Sequence, residues 1–111
     1  MQFDHIGIPT LQRKEGEIFV EATRVWITDA HSHPYHVEWL RYEPDSPVTG
    51  PLHDEPHVGY RVDSVDQIAE LSRGMTVLLE PFDVGFAVAG FFRTADGANI
   101  ELVWYREEPG A

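Results

Sequence analysis

Residues 3–10 read Phe3-Asp4-His5-Ile6-Gly7-Ile8-Pro9-Thr10, and residues 55–62 read Glu55-Pro56-His57-Val58-Gly59-Tyr60-Arg61-Val62. Both carry His-(Ile/Val)-Gly in a setting rich in branched residues, the composition of a strand. A second pair follows. Residues 36–42 are His36-Val37-Glu38-Trp39-Leu40-Arg41-Tyr42, and residues 99–105 are Asn99-Ile100-Glu101-Leu102-Val103-Trp104-Tyr105, each with Glu third and Tyr seventh. Likeness repeated in the same order signals an internal duplication. Two copies of one strand-rich module are therefore expected.

The copies are unequal. From His5 to Glu38 is 33 positions and from His57 to Glu101 is 44, a deficit of 11. That is about the length of one helix. In the second copy Ser64 and Gln67 form a capping box, Val65, Ile68, Ala69 and Leu71 recur at roughly helical spacing, and Gly74 stops the run. The first copy offers only Leu11-Gln12-Arg13-Lys14-Glu15-Gly16, too short and polar for a buried helix. The first module is predicted to lack its helix.

Further strand material lies between Glu17 and Thr28, from Met75 to Leu79 with Pro81 as the stop, and from Phe86 to Arg93. Thr94-Ala95-Asp96-Gly97 reads as the tight connection into 99–105. Four prolines between Glu43 and Pro56, without periodicity, read as a linker. The expected order is β-β-β, linker, β-α-β-β-β. It forms a single α+β domain over 1–111, with module one at 1–47, a linker at 48–55 and module two at 56–108.

A chain of 111 residues is enough for one domain. No apolar run approaches the ~20 residues of a membrane span. The opening Met1-Gln2-Phe3-Asp4-His5 lacks a secretory pattern. The chain has no cysteine, which excludes disulfides, thiolate metal sites and cysteine nucleophiles and fits a cytoplasmic protein. Nineteen Asp and Glu against eight Lys and Arg give a net charge of −11, which repels nucleic acid and anionic membrane alike.

Side chains alternate faces along a strand. His5 and Gly7 then oppose Ile6 and Ile8, and His57 and Gly59 oppose Val58, Tyr60 and Val62. Glu38, Leu40 and Tyr42 share a face, as do Glu101, Val103 and Tyr105. Each copy places one His and one Glu on the same side of its strands. If the modules join in one curved sheet, both pairs can meet on its concave side.

These stretches, with Asp96-Gly97-Ala98-Asn99-Ile100-Glu101-Leu102, resemble the vicinal oxygen chelate superfamily of glyoxalases, bleomycin-resistance proteins and dioxygenases. Val37 to Pro47 is similar to a group of short bacterial members. The resemblance implies paired βαβββ modules forming a curved, partly open, barrel-like mixed sheet around a divalent metal. By position it implies His5, Glu38, His57 and Glu101 as ligands. Such a set resembles the sites of bacterial glyoxalase I and related epimerases, and differs from the two-His, one-carboxylate iron site of extradiol dioxygenases. Zn, Ni, Mn, Co and Fe all suit it. The implied activity is that of a metal-dependent lyase, isomerase or epimerase acting on a small oxygenated substrate through an enediolate-type intermediate. Glu101 or Glu38 would be the catalytic base, with Glu101 preferred. The alternative is a metal-free sequestering protein of the bleomycin-resistance type.

Three expectations concern what lies outside this set. His31-Ser32-His33-Pro34-Tyr35-His36 reads as a solvated hairpin tip in preference to a rival metal cluster of His31 and His33 with Asp29 beside them, and its His33, Tyr35 or His36 could border a pocket because the tip leads into the Glu38 strand. The helix-free module would leave Ile6, Ile8, Trp39 and parts of 17–28 facing water, which points to a homodimer covering them. Arg24, Arg61 and Arg93 are expected in surface ion pairs.

Overall fold

A computed structural model describes residues 1–107. Eight strands form one sheet: β1 (Gln2–Pro9), β2 (Ile18–Val20), β3 (Val25–Ile27), β4 (Val37–Tyr42), β5 (His57–Arg61), β6 (Thr76–Asp83), β7 (Ala87–Arg93) and β8 (Asn99–Tyr105). They run in the order β2-β3-β4-β1-β5-β8-β7-β6. β1 lies parallel to β4, and β5 parallel to β8. β1 and β5 meet antiparallel at the centre. Each half is the other's counterpart across that central pair, which is the expected duplication in a mixed sheet.

The helix deficit is real. Val65–Leu71 forms a helix (α2) in the second module, with the Ser64 side chain accepting from the Gln67 N–H. The Gln67 side chain accepts in return from Asp63 N–H. Ile68 of α2 is 1% exposed, packed with Val62, Phe92 and Leu102 on the convex face of β5, β7 and β8. Residues 10–17 of the first module form no helix. Ile6, Ile8 and Trp39 are nonetheless half-buried rather than bare, and the Lys14 ammonium sits 4.3 Å from the centre of the Trp39 ring.

Three local expectations need correction. The 17–28 segment is a hairpin of two short strands, β2 and β3, not one. β6 does not stop at Pro81 but runs on to Asp83. It is an edge strand with two register irregularities, where a missing N–H is tolerated. The linker contains a short helix, Pro51–Asp54 (α1), whose Leu52 is 2% exposed and whose carbonyl accepts from the Tyr42 hydroxyl at 3.3 Å. The end of the second module expected at residue 108 lies outside the described residues.

On the concave side two apolar clusters face each other. Val25, Ile27 and Leu40 come from the first module, and Ala87, Ala89 and Val103 from the second. Between them, the central pair sets His5 opposite Gly59 and Gly7 opposite His57. A methyl group at Gly7 would overlap the His57 ring, and one at Gly59 would overlap the His5 ring. The glycine of each His-x-Gly motif thus makes room for the histidine of the other copy.

Gly59→Ala is therefore expected to push the His5 ring out of its seat. It should lower stability by about 1–3 kcal/mol in denaturant unfolding, the usual range for overpacking. An equal loss is expected for Gly7→Ala, through His57. A neutral effect of both would show that the rings move aside freely.

Candidate metal centre

Strand register assembles the centre in two rows. Glu38 on β4 lies level with Gly7 on β1 and His57 on β5. His5 on β1 lies level with Gly59 on β5 and Glu101 on β8. Each row is two polar side chains with a glycine between them, so the side chains lean together over the gap. One donor atom from each of His5, Glu38, His57 and Glu101 lies within 4.8 Å of all the others. All four residues inferred from the sequence are brought to one point.

Glu101 is the hub. Its Oε1 accepts from His5 Nε2 and from His57 Nε2, each at 2.8 Å. Glu38 stands 3.8 Å from His5 Nε2 and accepts no hydrogen bond among the described residues. Its side chain keeps 18% exposure, toward the cavity. Burial raises the Glu38 carboxyl above its usual range and the Glu101 charge adds to the rise, while His5 opposes it. For Glu101 burial works upward too, but the charge and hydrogen bond of His5, and the hydrogen bond of His57, hold it below its usual range. Burial tends to lower His5, yet the Glu101 charge and the hydrogen bonds to Asp4 and Glu101 raise it to about 11.

Simple alternation along β1 would put Asp4 on the face opposite His5, and the structure departs from it. The register of β1 slips between Phe3 and His5, so Asp4 is the extra residue of a β-bulge. A bulge re-aims a side chain. Asp4 is 5% exposed and accepts from His5 Nδ1 at 2.7 Å, from the Tyr105 hydroxyl at 2.5 Å and from His31 Nε2 at 2.9 Å. Burial opposes its charge, but these three bonds hold Asp4 well below the ordinary carboxylate range. A carboxylate on Nδ1 leaves Nε2 of His5 for the centre, the arrangement that orients metal-bound imidazoles. His57 lacks this support: its Nδ1 is buried without a partner among the described residues.

The 31–36 segment is not a solvated tip throughout. A 3₁₀ turn over Ala30–Ser32, capped by Asp29, turns His31 onto Asp4. His36, at φ 55°, bonds the Asp4 carbonyl through Nδ1 at 2.9 Å. Tyr35 does face water, at 78% exposure. The spacing of His31 from Asp4 gave no signal, because the contact spans 27 positions and depends on the bulge. Arg24 and Arg93 pair at the surface with Asp45 and Glu55, and Arg61 bonds Gln2.

The donor set fits a divalent cation. Two imidazoles and two carboxylates converge in a largely apolar hollow, where burial makes one carboxyl resist ionisation and the charge of the other adds to the effect. A cation at that point relieves the repulsion and suits mixed N and O ligands. The centre opens on a cavity of about 590 Å³ lined by His5, Glu38, His31, Asp29, Phe86 and Tyr105 among others. An inner chamber of about 70 Å³ lies behind it, lined by Glu101 and by apolar groups from both modules.

No family model matches the chain, and no curated protein matches it. Solved structures do. A hypothetical protein from Bacillus halodurans C-125 superposes with a TM-score of 0.69 at 19% identity, covering 99% of this chain and 98% of its own. The methylmalonyl-CoA epimerase from Mycobacterium tuberculosis superposes with a TM-score of 0.67 at 15% identity, covering 96% and 89%. At such identities the likeness is one of fold, and it extends over nearly the whole chain.

Asp4→Asn keeps the size of the side chain but removes its charge. It should weaken metal binding about 10–100-fold, the usual effect of losing a carboxylate behind a ligating imidazole. Isothermal titration with Zn²⁺ measures it, and an unchanged affinity would remove Asp4 from the centre. Proton linkage gives a second test. Without metal, the raised His5 stays protonated at neutral pH, and Glu38 holds its proton to a higher pH than an ordinary carboxylate. The charge pairing of His5 stabilises the metal-free fold fully below pH 6.5, and this is lost as pH rises through about 11. A metal needs both groups deprotonated. Loading near pH 7 should therefore release protons, about two, and affinity should rise with pH; titration in buffers of different ionisation enthalpy counts them.

Proposed function

The chain has the vicinal oxygen chelate fold, and from that premise we propose that it is a divalent-metal-dependent lyase, isomerase or epimerase acting on a small oxygenated substrate. The observation that carries this reading is the convergence of His5, Glu38, His57 and Glu101 beside an open cavity. The similarity to a methylmalonyl-CoA epimerase supports it.

A bound divalent metal supplies Lewis-acid polarisation of adjacent substrate oxygens. The rest falls to the chain. Asp4 fixes the His5 ring, and the glycines at 7 and 59 let both rings reach the centre. Glu101 is committed to two imidazoles deep in the fold, whereas Glu38 is unbonded and faces the cavity. We assign to Glu38, in preference to Glu101, the removal of a proton from carbon next to a substrate carbonyl. Apolar residues from both modules line the chamber behind that carboxyl.

The second reading is a metal-free protein that sequesters a small molecule in the same hollow. One observation favours it: apolar residues from both modules wall the chamber behind the centre, as in a small-molecule pocket.

Metal analysis of tag-free protein separates the two. We expect about one equivalent of divalent metal per chain in wild type, lost in His57→Ala and Glu101→Ala. Glu38→Gln should slow exchange of the substrate's α-proton with D₂O by about 10²–10⁴-fold, the usual contribution of a general base. A wild-type protein that takes up no Zn²⁺, Ni²⁺, Mn²⁺, Co²⁺ or Fe²⁺ would establish the binding-protein reading.

A further inference from the structure

The centre lies at a junction between two compartments, an outer one that carries charged side chains and an inner one that is largely apolar. His5, Glu38 and Tyr105 line both the outer cavity of about 590 Å³ and the inner chamber of about 70 Å³. The inner chamber is walled by Val20, Val25, Leu40, Phe82, Phe91 and Val103. Its volume is about half that of a ~150 Å³ cavity that accepts benzene, so it has room for a short alkyl group and not for a ring.

The outer cavity is acidic. Asp29, Glu38 and Glu107 line it, and Arg106 is the one guanidinium or ammonium on its wall among the described residues. Arg106 is already engaged. Its Nε donates to the Gly85 carbonyl at 2.9 Å, its Nη2 donates to Asp83, and its guanidinium lies 5.7 Å from the centre of the Trp104 ring. A phosphate or carboxylate on the part of the substrate away from the centre would meet Asp29 and Glu107, and no unengaged guanidinium or ammonium on that wall among the described residues. The net charge of −11 repels it from further out.

We infer that the substrate is an uncharged oxygenated small molecule whose chelating oxygens sit at the His5–Glu38 junction and whose short apolar substituent enters the inner chamber. This rests on the metal-centre reading above and narrows it. The inference sets the chain apart from any relative that handles a substrate carrying several phosphates, because among the described residues the one guanidinium on these walls, Arg106, is already engaged.

Alkyl hydroxamic acids chelate zinc through two adjacent oxygens, each losing its N–OH proton to the buffer as it binds, so members of the series share one head group and differ only in the tail; they test it on the zinc-loaded wild-type protein. Titration calorimetry would compare acetohydroxamate, propionohydroxamate and butyrohydroxamate with benzohydroxamate and with the carboxylate-tailed succinic monohydroxamate. Affinity should rise about fourfold per methylene up to butyrohydroxamate, the value of one buried CH₂. Butyrohydroxamate should bind at least about tenfold tighter than succinic monohydroxamate, the difference equivalent to ~1.4 kcal/mol. Benzohydroxamate should gain nothing over the alkyl series. Equal or tighter binding of the carboxylate-tailed probe, or tightest binding of the aromatic one, overturns the inference while leaving the metal centre intact. Failure of every hydroxamate to bind protein that demonstrably holds zinc also overturns it. A protein that takes up no zinc instead fails the functional reading on which it rests.

Discussion

Two imidazole rings cross the centre of this sheet, each lying over a glycine of the opposite module. That reciprocal seat is the constraint on which the rest depends. Antiparallel pairing of β1 with β5 places His5 against Gly59 and His57 against Gly7. A Cβ at either glycine would occupy the space of a ring. Because β4 and β8 pair parallel to these strands, Glu38 and Glu101 arrive level with the same glycines. The duplication therefore builds one centre from two halves, and neither module holds a complete set.

The electrostatic consequence is severe for so small a domain. Buried charges are tolerated only when paired and hydrogen-bonded. Glu101 meets the condition with two imidazole partners, and Asp4 with two imidazoles and a phenol. Glu38 does not, and its carboxyl resists ionisation for that reason. An unsatisfied carboxyl at the edge of a cavity is poorly placed as a structural device and well placed as a chemical one.

The two faces of the sheet divide the remaining work. On the convex side α2 buries the second module, while the first is served by little more than a polar strap and the Lys14–Trp39 contact. On the concave side apolar residues from both modules line the inner chamber, and the acidic rim faces outward. The short helix in the linker adds Leu52 to that lining. A segment read as a featureless connection thus helps close the hollow.

The sequence by itself determined the duplication, the absence of one helix, and the His and Glu of each copy. These are local facts: strand alternation, a capping box and a count of positions between like motifs. Sequence periodicity could not place Asp4, because alternation assigns it to the wrong face and only the bulge formed against β5 reverses that. It could not bring His31 to Asp4 either, nor carry β6 past Pro81, since both depend on which strands lie beside which. Strand alternation also leaves the two glutamates at equivalent positions in the repeat, so the preference for Glu101 had no support in the pattern itself. Burial and the reach of two imidazoles fall on Glu101, while Glu38 is left facing the open cavity, and that difference exists only once the strands are assembled.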